Sequence, residues 1–165
     1  MVQLTTLELQ KENFKFSAGH FTIFSATERE NLHGHNWNVA LAITAEVGDN
    51  GLTFDYAIAK RLAEEACLEL NEKFLLPTQS PFLKVIEEAD EVIASYSNET
   101  LRFLPRDIYL MPLRNITVEE LARWFLGRFC SELTQDESYH IHVIEVKVYS
   151  GPGQSASAKW EKLST

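Results

Sequence analysis

The stretch Leu32-His33-Gly34-His35-Asn36-Trp37-Asn38-Val39-Ala40-Leu41-Ala42-Ile43 decides the fold. Successive side chains of an extended chain point to opposite faces, so His33, His35, Trp37, Val39, Leu41 and Ile43 share one face. Asn36, Asn38, Ala40, Ala42, Thr44 and Glu46 share the other. This alternation predicts a strand over residues 35–47, in a sheet covered on one side. Upstream, residues 5–18 read as a first strand. Its end, Phe14-Lys15-Phe16-Ser17-Ala18-Gly19-His20, carries Phe14, Phe16, Ala18 and His20 on one face. Pairing the two strands antiparallel, with residues 21–32 as the connection, brings three neutral imidazoles together where the apolar faces end. Three His ligands with one open position are a common catalytic-zinc arrangement. His-Gly-His alone is equally the trace of ordinary histidines around a turn. Strand parity and the placement of His20 favour a metal.

Downstream, Gly48-Asp49-Asn50-Gly51 is a strong turn signal. Asp55 is expected to open a helix of about 18 residues, in which Ile58, Leu62, Ala66 and Leu70 recur every four positions beside Ala59 and Ala63. Pro77 and Pro81 break the chain, and Val92-Ile93-Ala94, Leu101-Arg102-Phe103 and Ile108-Tyr109-Leu110-Met111 read as short strands. Thr117-Val118-Glu119-Glu120 is a capping-box sequence. It begins a helix to about Leu133 with Leu121, Phe125 and Phe129 on one face, and Trp124 and Phe129 read as core or interface. His140 to Tyr149 forms the last long strand, ended by Gly151-Pro152-Gly153. No repeat or linker divides the chain, so residues 1–165 read as a single domain. The order predicts an α+β fold: an antiparallel four-stranded sheet with two helices on one face. The other face must be polar or covered by neighbouring subunits.

Composition narrows the function classes. A chain of 165 residues with 45% hydrophobic and 24% charged residues has the make-up of a soluble globular domain with a substantial core. Its formal net charge of −9 argues against a nucleic-acid surface, which needs clustered Lys and Arg. No apolar run reaches membrane-spanning length, and the polar start Met1-Val2-Gln3 does not read as a signal peptide. Cys67 and Cys130 both fall in helical segments. They read as reduced, buried thiols, which points to a cytoplasmic protein.

These residues resemble the 6-pyruvoyl-tetrahydropterin and 6-carboxy-tetrahydropterin synthase family. The resemblance rests on Phe16-Ser17-Ala18-Gly19-His20 and Leu32-His33-Gly34-His35-Asn36. It continues in Phe54-Asp55-Tyr56, Phe74-Leu75-Leu76-Pro77-Thr78, Asn115-Ile116-Thr117-Val118-Glu119-Glu120-Leu121-Ala122 and Gly151-Pro152-Gly153-Gln154-Ser155-Ala156. It implies a tunnelling fold, in which subunits join their sheets into a barrel, usually as a homohexamer of two trimers. It also implies Zn2+ on His20, His33 and His35, and 7,8-dihydroneopterin triphosphate as the substrate class.

The resemblance further implies a Cys base shortly before His-Gly-His, an Asp-His pair after the first helix, and a pterin-anchoring Glu at the end of the last strand. This chain departs at each place. No Cys lies between residues 20 and 33, Asn71-Glu72 stands where the Asp-His pair would fall, and Ser150 stands where the anchoring Glu would fall. One branch of the family carries Glu in place of Cys and releases 6-hydroxymethyl-dihydropterin, and Glu30, three residues before His33, is similar to it. Glu30 is therefore the candidate base, on the condition that burial raises its pKa towards neutral. Glu72 is the second catalytic candidate, Arg29 a candidate contact for the triphosphate, and Ser150 a candidate pterin contact. Three functions stay open. One is a zinc-dependent lyase forming 6-pyruvoyl- or 6-carboxy-tetrahydropterin, in a pathway to folate, biopterin or a modified tRNA base such as queuosine. The second is the hydroxymethyl-releasing variant. The third is an inactive zinc-binding member that holds a pterin-like ligand or a partner.

Overall fold

A computed structural model describes residues 2–163; Met1 of the polar start, Ser164 and Thr165 lie outside the described residues. The central strand is β3 (His33–Glu46), and β1 (Leu4–Leu9) and β2 (Lys15–His20) lie end to end along one side of it. The expected single strand over 5–18 is thus two. Gln10-Lys11-Glu12-Asn13 offers no apolar side chain and turns outward, with the Phe14 amide donating to the Lys11 carbonyl at 3.0 Å. That turn seats Phe14, which is fully buried, in the core.

On the other side of β3 lies β9 (Ile141–Gly151), with Val39 opposite Val148 and Ile43 opposite Ile144. The turn at Gly151-Pro152-Gly153 does not end the sheet. It is a hairpin, with Gly153 at φ +78°, leading into β10 (Gln154–Glu161), which the sequence reading missed. β4 (Lys73–Pro77) joins the free side of β2 in parallel, and β8 (Ile108–Met111) joins β4 in parallel. The sheet is therefore larger than the expected four antiparallel strands: among the described residues it has seven, of which β1, β2, β3, β9 and β10 form the antiparallel part, from the β10 edge inward, and β4 and β8 extend it in parallel.

Two helices cover one face, as an α+β layer requires. α1 (Ala57–Leu70) buries Ala59, Ala63, Ala66, Cys67 and Leu70. It starts two residues after Asp55, whose carboxylate accepts from the Ala57 amide at 3.0 Å. Its small side chains let the backbone approach the sheet closely. Burial pushes the Cys67 thiol up to about 12, so it is an inert core group. α2 (Val118–Leu133) lays Leu121, Phe125 and Phe129 on Phe16, Trp37 and the apolar side of β3. Thr117 caps it, its hydroxyl accepting from the Glu120 amide at 3.3 Å. The Glu120 carboxylate does not close the capping box; it pairs with Arg114 at 2.8 Å and Arg123 at 3.1 Å.

Between β4 and β8 the chain builds a second sheet from β5 (Leu83–Glu87), β6 (Val92–Tyr96) and β7 (Glu99–Phe103). Its apolar side shares a small core with Phe21, Ile23, Leu76 and Ile108. It therefore backs the segment that joins β2 to β3. No helix among the described residues is long and apolar enough to cross a membrane.

Candidate metal centre

The β2–β3 register sets His20 opposite His33, and Ala18 opposite His35. All three rings thus leave the helix-covered face at the end of the hairpin, above Trp37, whose ring lies 5.0 Å from that of His20 and 5.1 Å from that of His35. One ring nitrogen from each His lies within 4.8 Å of the others. Gly19 separates Ala18 from His20, and a Cβ there would come within 2.5 Å of the Phe74 ring. The glycine is what lets β4 pack against the ligand-bearing strand.

His20 is 4% exposed. Its Nδ1 lies 2.8 Å from the Ile116 carbonyl, which only accepts, so Nδ1 carries the hydrogen and Nε2 keeps its lone pair. That Nε2 is buried and has no hydrogen-bond partner. A buried polar atom left without a partner calls for an occupant. His33 is oriented the same way, its Nδ1 2.8 Å from the Asn31 carbonyl, while its Nε2 stands 3.1 Å from Nε2 of His35. Burial lowers the His20 pKa to about 4, with His33 and His35 adding to the effect against the Ile116 hydrogen bond. Burial and His33 likewise lower that of His35. Neutral imidazoles with Nδ1–H groups fixed by backbone carbonyls are what a divalent metal requires. The donor set fits a metal ion, with room for a further ligand on the solvent side.

The segment between the strands folds into a tight hairpin. Ile23 bridges to Arg29, and the Glu30 amide donates to the Thr22 carbonyl at 2.9 Å. The Thr22 amide donates in return to the Glu30 carboxylate at 2.9 Å. This places the carboxylate 3.9 Å from Nε2 of His33, with the side chain 37% exposed. Burial pushes its pKa up, but the hydrogen bonding to Thr22 and the imidazoles of His33 and His20 outweigh this and hold it below the usual carboxylate range. The condition set from the sequence, a pKa raised by burial, is therefore not met: Glu30 is anionic at neutral pH.

The Arg29 guanidinium is engaged within the protein, donating to the Glu99 carboxylate and to the Glu30 carbonyl. Glu72, at φ 59° after α1, is exposed. It lines a cavity of about 520 Å³ with Ser17, Gly19, His35, Asn36 and Phe74, and no hydrogen bond joins it to the imidazoles. Ser150 is half-buried near the end of β9, its hydroxyl 3.2 Å from the Gln154 side chain. His142 pairs with Glu46 at 2.8 Å, at the opposite end of β3 from the triad.

Asn115 is a site residue that reading for chemistry passed over. Its side chain accepts from the Ile23 amide at 3.1 Å and donates to the Ile23 carbonyl at 2.8 Å, as a neighbouring strand would. The next carbonyl, that of Ile116, orients His20. One dipeptide thus ties the Glu30 hairpin to the buried imidazole. The sequence signals of Asn115 are its place two residues before the Thr117 cap and at the head of a stretch that carries the family resemblance, neither of which assigns it a role.

Fold and site together define an α+β domain carrying a three-histidine centre able to hold a metal ion. Residues 8–161 match the family model described as 6-pyruvoyl tetrahydropterin synthase, and the chain belongs to that family. It is 28% identical over 143 residues to a Methanocaldococcus jannaschii protein provisionally named a 6-carboxy-5,6,7,8-tetrahydropterin synthase, covering 86% of this chain and 87% of that relative. The solved structure of 6-pyruvoyl tetrahydropterin synthase from Plasmodium falciparum superposes with a TM-score of 0.90 at 28% identity, covering 96% of this chain and 99% of that one. A Plasmodium vivax structure of the same enzyme superposes with a TM-score of 0.90 at 27% identity, over 97% and 99% of the two chains. That Plasmodium vivax protein is a variant in which a glutamate, described as a catalytic residue, is replaced by alanine.

Proposed function

We propose that the protein is a zinc-dependent pterin-processing lyase acting on 7,8-dihydroneopterin triphosphate, with His20, His33 and His35 as the metal ligands and Glu30 as the base. The unpartnered, buried Nε2 of His20, aimed at the same point as Nε2 of His33 and His35, carries the reading. Zinc, when bound, lowers the pKa of substrate hydroxyls and offsets the negative charge that follows proton abstraction. Ionised Glu30, at the rim of the open position, accepts a proton from the substrate side chain. Its lowered pKa makes it a weaker base than a group poised near neutrality, but one fully deprotonated at neutral pH. Burial keeps the His20 and His35 imidazoles neutral, and the Ile116 and Asn31 carbonyls orient His20 and His33.

The product is 6-pyruvoyl- or 6-carboxy-tetrahydropterin in the first reading. The second, release of 6-hydroxymethyl-dihydropterin, is supported by the glutamate described as catalytic in the Plasmodium vivax relative, since this chain also offers a glutamate and no thiol at its triad. Glu72 shares a cavity wall with His35 and is the further candidate for proton transfer. Ser150 is the candidate pterin contact. Incubation of the zinc-loaded protein with 7,8-dihydroneopterin triphosphate, followed by chromatographic identification of the pterin product, separates the two products. Absence of any turnover with zinc full leaves the non-enzymatic pterin- or partner-binding function instead.

A further inference from the structure

Arg29 and Glu99 hold the base-bearing hairpin from behind. Nε and Nη2 of Arg29 both donate to one Glu99 oxygen, at 2.8 and 2.5 Å, while Nη1 donates to the Glu30 carbonyl at 2.7 Å. One guanidinium is thus shared between the second sheet and the backbone of the candidate base. Its side chain is only 15% exposed, against 50% for Glu99. It lies over the rings of Phe21 at 5.1 Å and Tyr96 at 5.8 Å. The Tyr96 hydroxyl makes a second attachment, donating to the Ser25 carbonyl at 2.7 Å. Only an arginine has the planar fork to meet a carboxylate, a carbonyl and two ring faces at once.

Neighbouring residues on an extended segment point to opposite faces. With Arg29 fixed to the second sheet, Glu30 must point away from it, towards Thr22 and His33. The Glu30 carboxylate is held by the Thr22 amide, within the same hairpin, so the course of the hairpin backbone sets its aim. We propose that Arg29 and Glu99 are positioning residues: a clamp through which the β5–β7 sheet fixes the Glu30 carboxylate at the open side of the imidazole triad. This rests on the reading of Glu30 as base, and it gives Arg29 a role other than binding substrate phosphate.

The test compares Glu99→Ala and Glu99→Gln with the wild-type zinc protein. It reads kcat and KM separately, zinc content, and amide hydrogen exchange at Thr22, Phe24 and Glu30. Glu99→Ala is expected to lower kcat about tenfold through misplacement of the carboxylate, with KM within about twofold and zinc retained. Exchange at the three amides should quicken. Glu99→Gln keeps the shape and an acceptor, and should recover most of the lost kcat. With an active wild type, an unchanged kcat in Glu99→Ala overturns the clamp whatever the exchange shows, as does a loss confined to KM. An inactive wild type overturns the Glu30 reading instead. The clamp is then decided by exchange alone, and equal protection in wild type and Glu99→Ala overturns it.

Discussion

His20 and Ile116 are joined across the two layers of the fold: Nδ1–H of the one donates to the carbonyl of the other at 2.8 Å, although 96 residues separate them. The bond turns the lone pair of a buried imidazole towards two others. A metal is therefore expected to bind at about one per chain, through three neutral nitrogens. His33→Ala removes the ligand exposed to solvent with little loss of core, and should abolish stoichiometric zinc in metal analysis while the far-UV circular dichroism stays native. Full zinc in that variant would remove the ligand assignment.

Glu30→Gln keeps the shape of the side chain and removes its basicity. If Glu30 is the base, the rate of pterin turnover should fall on the order of 10²–10⁴ with zinc still bound. Equal rates in wild type and variant would make Glu30 a loop residue, and Glu72 the next to replace.

Much of this arrangement was legible because parity along a strand is exact arithmetic. His20, His33 and His35 could be set on one face from spacing alone, and the register of Ala18 opposite His35 agrees with that. What escaped was whatever lacked an alternating apolar signal. β10 reads Gln154-Ser155-Ala156-Ser157-Ala158-Lys159-Trp160-Glu161, with alanines where larger apolar residues would announce a strand. β4 is a continuous apolar run, Phe74-Leu75-Leu76, caught between a helix and a proline. The partners of Arg29 and Asn115 lie 70 and 92 residues away, beyond any local rule. The pKa of Glu30 had the opposite direction because the Thr22 amide that stabilises its charge is a product of the hairpin fold, which spacing did not reveal.

The uncovered sheet face carries Thr6, Glu8, Glu145, Lys147 and Tyr149, and β10 has an unpaired outer edge among the described residues. Unpaired edges are generally shielded or joined to another strand. A homo-oligomer, a hexamer of two trimers by the family resemblance, is the expected form in solution. A single monomeric boundary in analytical ultracentrifugation at micromolar concentration would contradict it.

Acid stability should depend on Glu69. Its carboxylate accepts from both Arg128 terminal nitrogens and, at 3.0 Å, from the Tyr109 hydroxyl. The Arg128 hydrogen bond, helped by Tyr109, holds its pKa below the ordinary 4.5 against the opposing effect of burial. A folded-state pKa below the unfolded one adds stability that is present above about pH 4.5 and lost as pH falls through the folded value. Both partners are more than a third exposed, so the contribution is at most about 1 kcal/mol. Glu69→Gln should lower Tm slightly at neutral pH and narrow the gap to wild type below pH 4.5. A gap that widens on acidification would reverse the sign.

Asn115 offers the sharpest separation of scaffold from chemistry. Its amide replaces a strand for Ile23, accepting from the backbone N–H and donating to the carbonyl, and also accepts from the Ile116 amide at 3.0 Å. Asn115→Ala strips partners from backbone groups that are half-buried, at a cost of about 1–3 kcal/mol each where water does not replace them. Asn115→Asp keeps the acceptor for the Ile23 amide but sets a second carboxylate oxygen against the Ile23 carbonyl, which repels it, so its Tm should also fall below wild type at neutral pH. Because Ile116 carries the carbonyl that orients His20, the alanine variant should also bind zinc more weakly, by about 10- to 100-fold, as second-layer contacts to metal ligands generally do. Competition with a chelator of known affinity measures this directly. An alanine variant that loses Tm but keeps wild-type zinc affinity would mean that the Ile116 carbonyl holds its place without Asn115, and that the hairpin and the triad are independent.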